Sequence, residues 1–297
     1  MLLSNLRAST GALSRRCFLA SLSASALAKP KMINFSRPLG AQLYTVRNQL
    51  PHDAAAVIRG IAEIGYREVE IGQPDIERLM PIIKDAGLTA PSGHYDLALV
   101  RGARKDLSWS QAIEQAKTNG LRYMIMSYIP PADRGNADAY RAIADDMNRA
   151  GEACQKAGLQ FGYHNHAFEF AGTAGQRPWD ILLSRWDPKL VVLELDVFWL
   201  SVAGNTPSEI IRQQQGRVRL VHLKDKAFGT PVQYNEQVPP SAFREVGTGT
   251  LEFPTILRAC EAAGVQHYIV EQDHTPGSPL RSLRLSYDNL RRMKVKA

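Results

Sequence analysis

Five joints of one kind recur along this chain: Ile64-Gly65-Tyr66, Ala86-Gly87-Leu88, Asn119-Gly120-Leu121, Ala157-Gly158-Leu159 and Ala263-Gly264-Val265. Each follows an amphipathic segment of helical periodicity and precedes a short run of aliphatic, aromatic or β-branched residues. Glycine carries no Cβ penalty in the left-handed conformation that closes a helix, so the repeated unit reads helix, glycine stop, strand. A chain made of such units belongs to the α/β class, with parallel strands and helices crossing between them.

Read in order, the unit predicts strands near 39–45, 67–71, 89–94, 122–127, 160–165, 190–196, 217–223 and 267–272. Helices are expected near 52–64, 74–86, 107–119, 137–157, 176–185, 207–215, 253–263 and 279–293. Strands and helices alternating in a single run favour a closed (β/α)8 TIM barrel over an open doubly wound sheet. The glycine-rich phosphate fingerprint of a dinucleotide-binding half is missing after the first strand, which begins Gly40-Ala41-Gln42-Leu43-Tyr44-Thr45. We therefore expect one barrel domain over 38–297. Its longest irregular segment, Lys224 to Leu251, follows the seventh strand and is expected to cover the site or carry part of it.

Chemistry in such a barrel sits at the carboxyl ends of the strands. The residues placed there are polar: Glu70 on the second strand, His94 on the third, His164 and His166 on the fifth, Asp196 on the sixth, His222 on the seventh and Glu271 on the eighth. In F-G-Y-H-N-H-A-F-E-F, Phe161 to Phe170, the two histidines alternate and so share a strand face, with Glu169 three residues further on. Carboxylates and imidazoles converging from neighbouring strands can hold one divalent ion of the Mn, Zn, Mg or Co type. Each residue also has a plainer role open to it. Asp196 can cap a helix starting at Val197, His222 can bond a backbone carbonyl, and Glu271 can pair with Lys224. Function is argued by the conjunction, on several independent strands. His52, His267 and His274 receive no role.

Composition narrows the classes further. No stretch is long and apolar enough to span a bilayer. Of the net +7, three charges (Arg7, Arg15, Arg16) fall in the first 28 residues, leaving +4, much of it in a basic tail at Arg291, Arg292, Lys294 and Lys296. Basic and aromatic residues do not interleave as nucleic-acid binding requires. Residues 14–20, S-R-R-C-F-L-A, with the small apolar run Ser21 to Ala28, look like a twin-arginine export signal cleaved after Ala28, the alternative being a frayed amphipathic helix. That reading makes 1–28 a signal peptide, the export machinery a partner and the mature protein periplasmic or otherwise exported. Cys17 leaves with the signal. Cys154 and Cys260, on separate helices, are expected to be buried thiols without a disulfide.

The motifs together resemble the sugar phosphate isomerase/epimerase family with the xylose isomerase-like barrel. The resemblance runs from G-A-Q-L-Y-T at 40–45 through G-Y-R-E-V-E-I-G at 65–72, L-E-L-D-V-F-W at 193–199, V-H-L-K-D at 221–225 and E-V-G-T-G at 245–249 to I-V-E-Q-D at 269–273. It implies a metal held from strands five to eight, matching Asp196, His222 and Glu271 for the last three. On the fifth strand His164 stands where many relatives carry glutamate, with Glu169 as the other choice. Trp199 stands where the epimerases tend to carry histidine.

The implied chemistry is isomerase or epimerase chemistry on a keto-sugar or related carbohydrate. Glu271 would be the base beside a carbonyl, and His164, His166 and Lys224 would be further catalytic groups. Glu70, His94, Phe168, Glu169 and Trp199 would contact the substrate. A lyase or dehydratase acting on a 3-keto-glycoside is the alternative within the family, favoured by histidine at the glutamate position. A metal-dependent nuclease would need a more basic groove, and a non-catalytic secreted sugar-binding protein would need no metal. Either a monomer or a homo-oligomer is compatible with these motifs.

Overall fold

A computed structural model describes residues 32–296. Eight parallel strands close on themselves: β1 Gly40–Gln42, β2 Glu68–Gly72, β3 Thr89–Tyr95, β4 Tyr123–Met126, β5 Gln160–His164, β6 Val191–Asp196, β7 Val218–Leu223 and β8 His267–Val270. The barrel shuts where Ile269 and Val270 register with Gly40 and Ala41. Helices α1 Leu50–Ile64, α2 Ile76–Asp85, α3 Trp109–Asn119, α4 Ala137–Lys156, α5 Pro178–Arg185, α6 Pro207–Gln213, α7 Phe253–Ala263 and α8 Pro279–Arg292 follow their strands in turn. The five glycine joints all carry positive φ, between 73° and 121°, as a left-handed helix stop demands. The short strands Met32–Asn34 and Lys294–Lys296 pair antiparallel and tie the two ends of the described chain together.

Each strand sorts its side chains by period two. On β6, Val191, Leu193 and Leu195 join the main core, while Val192 belongs to a separate apolar cluster with Tyr123, Ile125, Leu220 and Ile269 inside the barrel. Gly162 on β5 leaves the room that Ile125 fills; a Cβ there would lie 2.6 Å from the isoleucine Cδ1. This apolar plug closes the barrel below. Above it, along the same inward stripes, stand Glu194 then Asp196, His222 then Lys224, and Glu271 then Asp273. The barrel interior is therefore apolar in its middle layer and ionic, two residues deep, toward its carboxyl end.

The first strand is shorter than its sequence suggests. Gln42 ends it by accepting a hydrogen bond from Tyr44 N through its side chain (3.1 Å), and Leu43–Val46 turn into a 3-10 helix. The segment after β7 is folded about one carboxylate. Asp225 accepts from the backbone N–H groups of Lys226, Gly247, Gly249 and Leu251, and Asp225–Lys226 pair with Phe243–Arg244. Its outer part reaches the segment after β4 through Glu236, which pairs with Arg134 (2.8 Å). Cys154 and Cys260 are free and buried. The segment expected to be an export signal, with Cys17, lies outside the described residues.

Candidate functional site

The ionic end of the barrel forms one continuous network. Glu70 accepts from Gln42 Nε2 (2.7 Å), and its Oε2 lies 2.9 Å from His94 Nε2 and 2.6 Å from His222 Nε2. Glu194 Oε2 lies 2.8 Å from His94 Nε2, 3.0 Å from His164 Nδ1 and 3.4 Å from His222 Nε2. The far nitrogen of each metal-candidate histidine looks up. His222 Nδ1 is 2.9 Å from Glu271 Oε2 and 4.0 Å from Asp196 Oδ2, and His164 Nε2 is 3.7 Å from Asp196 Oδ2. Lys224 Nζ completes the upper tier, 2.5 Å from Glu271, 3.0 Å from Asp196 and 2.9 Å from Asp273.

Asp196 takes up its helix-capping role and keeps one oxygen free of it. Oδ1 caps the short helix Val197–Val202 by accepting from Trp199 N (3.0 Å), while buried Oδ2 has no hydrogen bond, lying near Lys224 without the geometry for one. Among the described residues, two groups bring metal-ligand atoms within 4.8 Å of one another. They are Asp196, His222 and Glu271, and beneath them His94, His164, Glu194 and His222.

Burial and charge divide the protons unevenly. Burial would raise Glu271, but Lys224 and His222 outweigh it and hold the carboxyl well below its usual range. Glu194 is held down at about 2, because its histidine neighbours outweigh both burial and Glu70. Burial also opposes charge on His94, yet Glu70 and Glu194 lift it to about 10, and Glu194 and Glu70 likewise hold His222 well above the imidazole range. His164 and His166 go the other way. Burial, reinforced by His222 for the first and by Lys224 for the second, keeps both well below it. Asp196 is lifted to about 6 by burial, which Lys224 and His222 only partly offset.

A cavity of about 660 Å³ opens above this network, lined by His94, His164, His166 and Glu271 together with Gln42, Tyr44, Arg47, Tyr128 and Asp273. Four residues expected at the substrate do not line this cavity. Glu70 lies beneath the floor, fully buried. Phe168 is covered by the Arg134 guanidinium, 3.5 Å from its ring centre, and Trp199 packs on His166 and Phe243. Glu169 turns back into the barrel wall, where it accepts from Tyr163 Oη (2.5 Å) and His166 N (2.9 Å). The tyrosines lining the cavity are Tyr44, Tyr95 and Tyr128. His267, given no role, makes a structural pair with Glu68 (2.8 Å) at the opposite end of the barrel.

Sequence reasoning missed Glu194, Gln42 and Asp273. A signal for two of them was present: Glu194 stands two residues before Asp196, and Asp273 two after Glu271, each on the same strand face as its partner.

A family model described as the xylose isomerase-like TIM barrel matches residues 58–293. Inosose dehydratase of Geobacillus thermodenitrificans (strain NG80-2) is 29% identical over 149 residues, 46% of this chain and 49% of that protein. The chain thus spans about half the length of the curated relatives it matches. A sugar phosphate isomerase/epimerase from Parabacteroides distasonis ATCC 8503 superposes with a TM-score of 0.70 at 24% identity, covering 85% of this chain and 92% of the other. An IolI protein with a bound zinc atom does so with a TM-score of 0.64 at 13% identity, over 85% and 96%. At these identities the two structures share the fold.

Proposed function

Because the chain belongs to the xylose isomerase-like TIM barrel family, we propose that it is a divalent-metal-dependent enzyme of the isomerase/epimerase type. It would act on a keto-sugar or related carbohydrate by removing the proton next to the carbonyl. The observation that carries this reading is the convergence of Asp196 Oδ2, His222 Nδ1 and Glu271 Oε2 at the carboxyl end of the barrel, with His164 Nε2 3.7 Å from Asp196 Oδ2. Two imidazoles and two carboxylates are a donor set suited to Mn, Zn or Co. Asp196 Oδ2, buried and without a hydrogen bond, has the Lys224 ammonium 3.0 Å away and a lone pair left for an ion. These four residues would hold the ion, which when bound supplies Lewis acidity at a carbonyl and its neighbouring hydroxyl.

The chain's own groups do the rest. Glu271 is kept ionised by Lys224 and His222 while lining the cavity, so it can accept the proton at its carboxylate. His166 lines the cavity unprotonated, and its Nδ1 has no partner in the protein. It can hydrogen-bond a substrate oxygen or relay a proton. Arg47 and Tyr44 at the rim offer donors and a ring face to sugar hydroxyls and C–H groups.

A second reading, a dehydratase or lyase of the same fold, is favoured by Glu169. With that carboxylate tied to Tyr163 and the His166 amide, a two-glutamate epimerisation lacks its fifth-strand member. Deprotonation by Glu271 followed by loss of a β-oxygen needs no second glutamate. The similarity to proteins named inosose dehydratase supports the same reading.

The test is incubation with keto-sugars and 3-oxo-glycosides in deuterated water, with and without Mn. Deuterium beside the carbonyl is expected, and the product separates isomerase from lyase. Glu271→Gln should lower exchange by about 10²–10⁴-fold with the fold intact. Near-full exchange in that variant, or unaltered sugar binding by a protein that takes up no metal, overturns the proposal. We also propose export by the twin-arginine route on the Ser14–Ala20 motif. Fractionation of cells expressing the chain with Arg15 and Arg16 replaced by Lys tests it, and unchanged export overturns it.

A further inference from the structure

Glu70 and Glu194 have no part in the chemistry above. Both are fully buried and neither lines the cavity, so they touch neither substrate nor solvent. Two buried carboxylates in one barrel are costly unless something requires them there. We propose that they are positioning residues of the metal centre, fixing the ring orientation and tautomer of His222 and His164 so that the remaining nitrogen of each faces Asp196 and Glu271. The inference rests on the metal-enzyme reading.

Its basis is the way each ring is strung between an inner and an outer carboxylate. His222 presents Nε2 to Glu70 (2.6 Å) and Nδ1 to Glu271 (2.9 Å). His164 presents Nδ1 to Glu194 (3.0 Å) and Nε2 toward Asp196 (3.7 Å). The two rings use opposite nitrogens, yet both send the inner one to a buried glutamate and the outer one to the same upper group. A carboxylate at the inner nitrogen accepts its hydrogen, so with an ion in place of the outer proton the outer nitrogen is the one left to ligate.

The glutamates are themselves held. Gln42 Nε2 donates to Glu70 at 2.7 Å, and His94 Nε2 lies within 2.9 Å of both carboxylates, with its ring stacked on His222 at 14°. The competing assignment makes His94, His164, Glu194 and His222 ligands of an ion of their own. That assignment takes His222 Nε2 from Glu70, while Glu194 offers it Oε1, which has no partner in the protein.

The experiment compares wild type, Glu70→Gln, Glu194→Gln and, as a control, Glu68→Gln, which alters the carboxylate–imidazole pair at the opposite end of the barrel. Cobalt is titrated in chelator competition, with visible absorption and ions per chain recorded, and circular dichroism and melting report the fold. All four proteins should bind a single ion. Affinity should fall by about 10–100-fold in the two inner variants and stay at the wild-type value in the control. If a glutamine variant does not fold, the aspartate variant replaces it, keeping the charge but withdrawing the oxygens by one methylene, with the same loss expected.

Affinity within about threefold of wild type in both inner variants overturns the inference and leaves the metal reading standing. Wild type binding two ions, with one lost in Glu194→Gln, overturns it in favour of a second site. Wild type binding none sinks the metal reading itself.

Discussion

Replacing Glu169 by Gln should leave the metal in place and make the protein more stable at alkaline pH. The Glu169 carboxyl is fully buried and accepts from Tyr163 Oη and from the His166 amide. Burial raises it from 4.5 to about 7, and those hydrogen bonds pull it only partly back. Between these two values the native protein holds a proton that the unfolded chain has released. The contribution of this group is thus fully present below pH 4.5 and is lost as pH rises through about 7. At about 1.4 kcal/mol per tenfold change in proton affinity, the interval amounts to about 3 kcal/mol. Glutamine keeps a carbonyl to accept from Tyr163 and never ionises. The stability of the variant relative to wild type should therefore grow by about 3 kcal/mol between pH 4.5 and pH 7.5. Urea unfolding across that range, paired with metal analysis, measures both halves of the expectation. Parallel stability curves would refute the assignment of a buried, proton-holding carboxyl. Loss of metal would make Glu169 a ligand after all and displace His164 from that role.

Asp196→Asn separates the two jobs of one side chain. Asparagine retains an oxygen to cap Trp199 N but withdraws one of the three carboxylates around Lys224, so the metal-free protein should melt only modestly lower while metal affinity falls by more than about 100-fold; failure to fold would contradict this. Lys224→Met leaves Asp196, Glu271 and Asp273 without their shared cation, which should cost about 3–5 kcal/mol in metal-free protein, with part recovered at saturating Mn. Equal losses with and without Mn in urea titrations would argue against a cation site there. Gly249→Ala would drive a Cβ against the Lys226 carbonyl and to 2.5 Å from Asp225 Oδ1, inside the turn that this carboxylate organises. It should cost more than about 2 kcal/mol in denaturant unfolding, and a neutral result would mean that the segment after β7 is not built around Asp225.

The barrel was legible because its punctuation is local: a glycine that must take positive φ ends a helix wherever it stands, and five did so at the expected joints. The depth of the site was not, because depth depends on closure. In a strand covered on one face, an alternating polar residue turns to water, so Glu194 inside the run Leu190 to Leu195 has the pattern of a solvent-facing residue. Only when β8 pairs with β1 does that face become an interior, and Val192, Glu194, Asp196 then become successive floors of one shaft. The same step turns Leu220, His222, Lys224 and Ile269, Glu271, Asp273 from strand ends into columns.

The misplaced substrate walls have a different origin. Whether Phe168 faces a sugar depends on Arg134, a residue 34 positions earlier in the chain whose guanidinium covers the ring, and Glu236 on the segment after β7 holds that arginine. Glu169 fails as an inward group for the opposite reason, since its partners are its own near neighbours Tyr163 and His166. A carboxylate three residues after a strand end can cap the turn it sits in, and here that local bond removes it from the metal candidates. On the proposed reading the fifth-strand position falls to His164, which needs a partner to fix its tautomer. Glu194, on the neighbouring strand and at the depth of that histidine, supplies one.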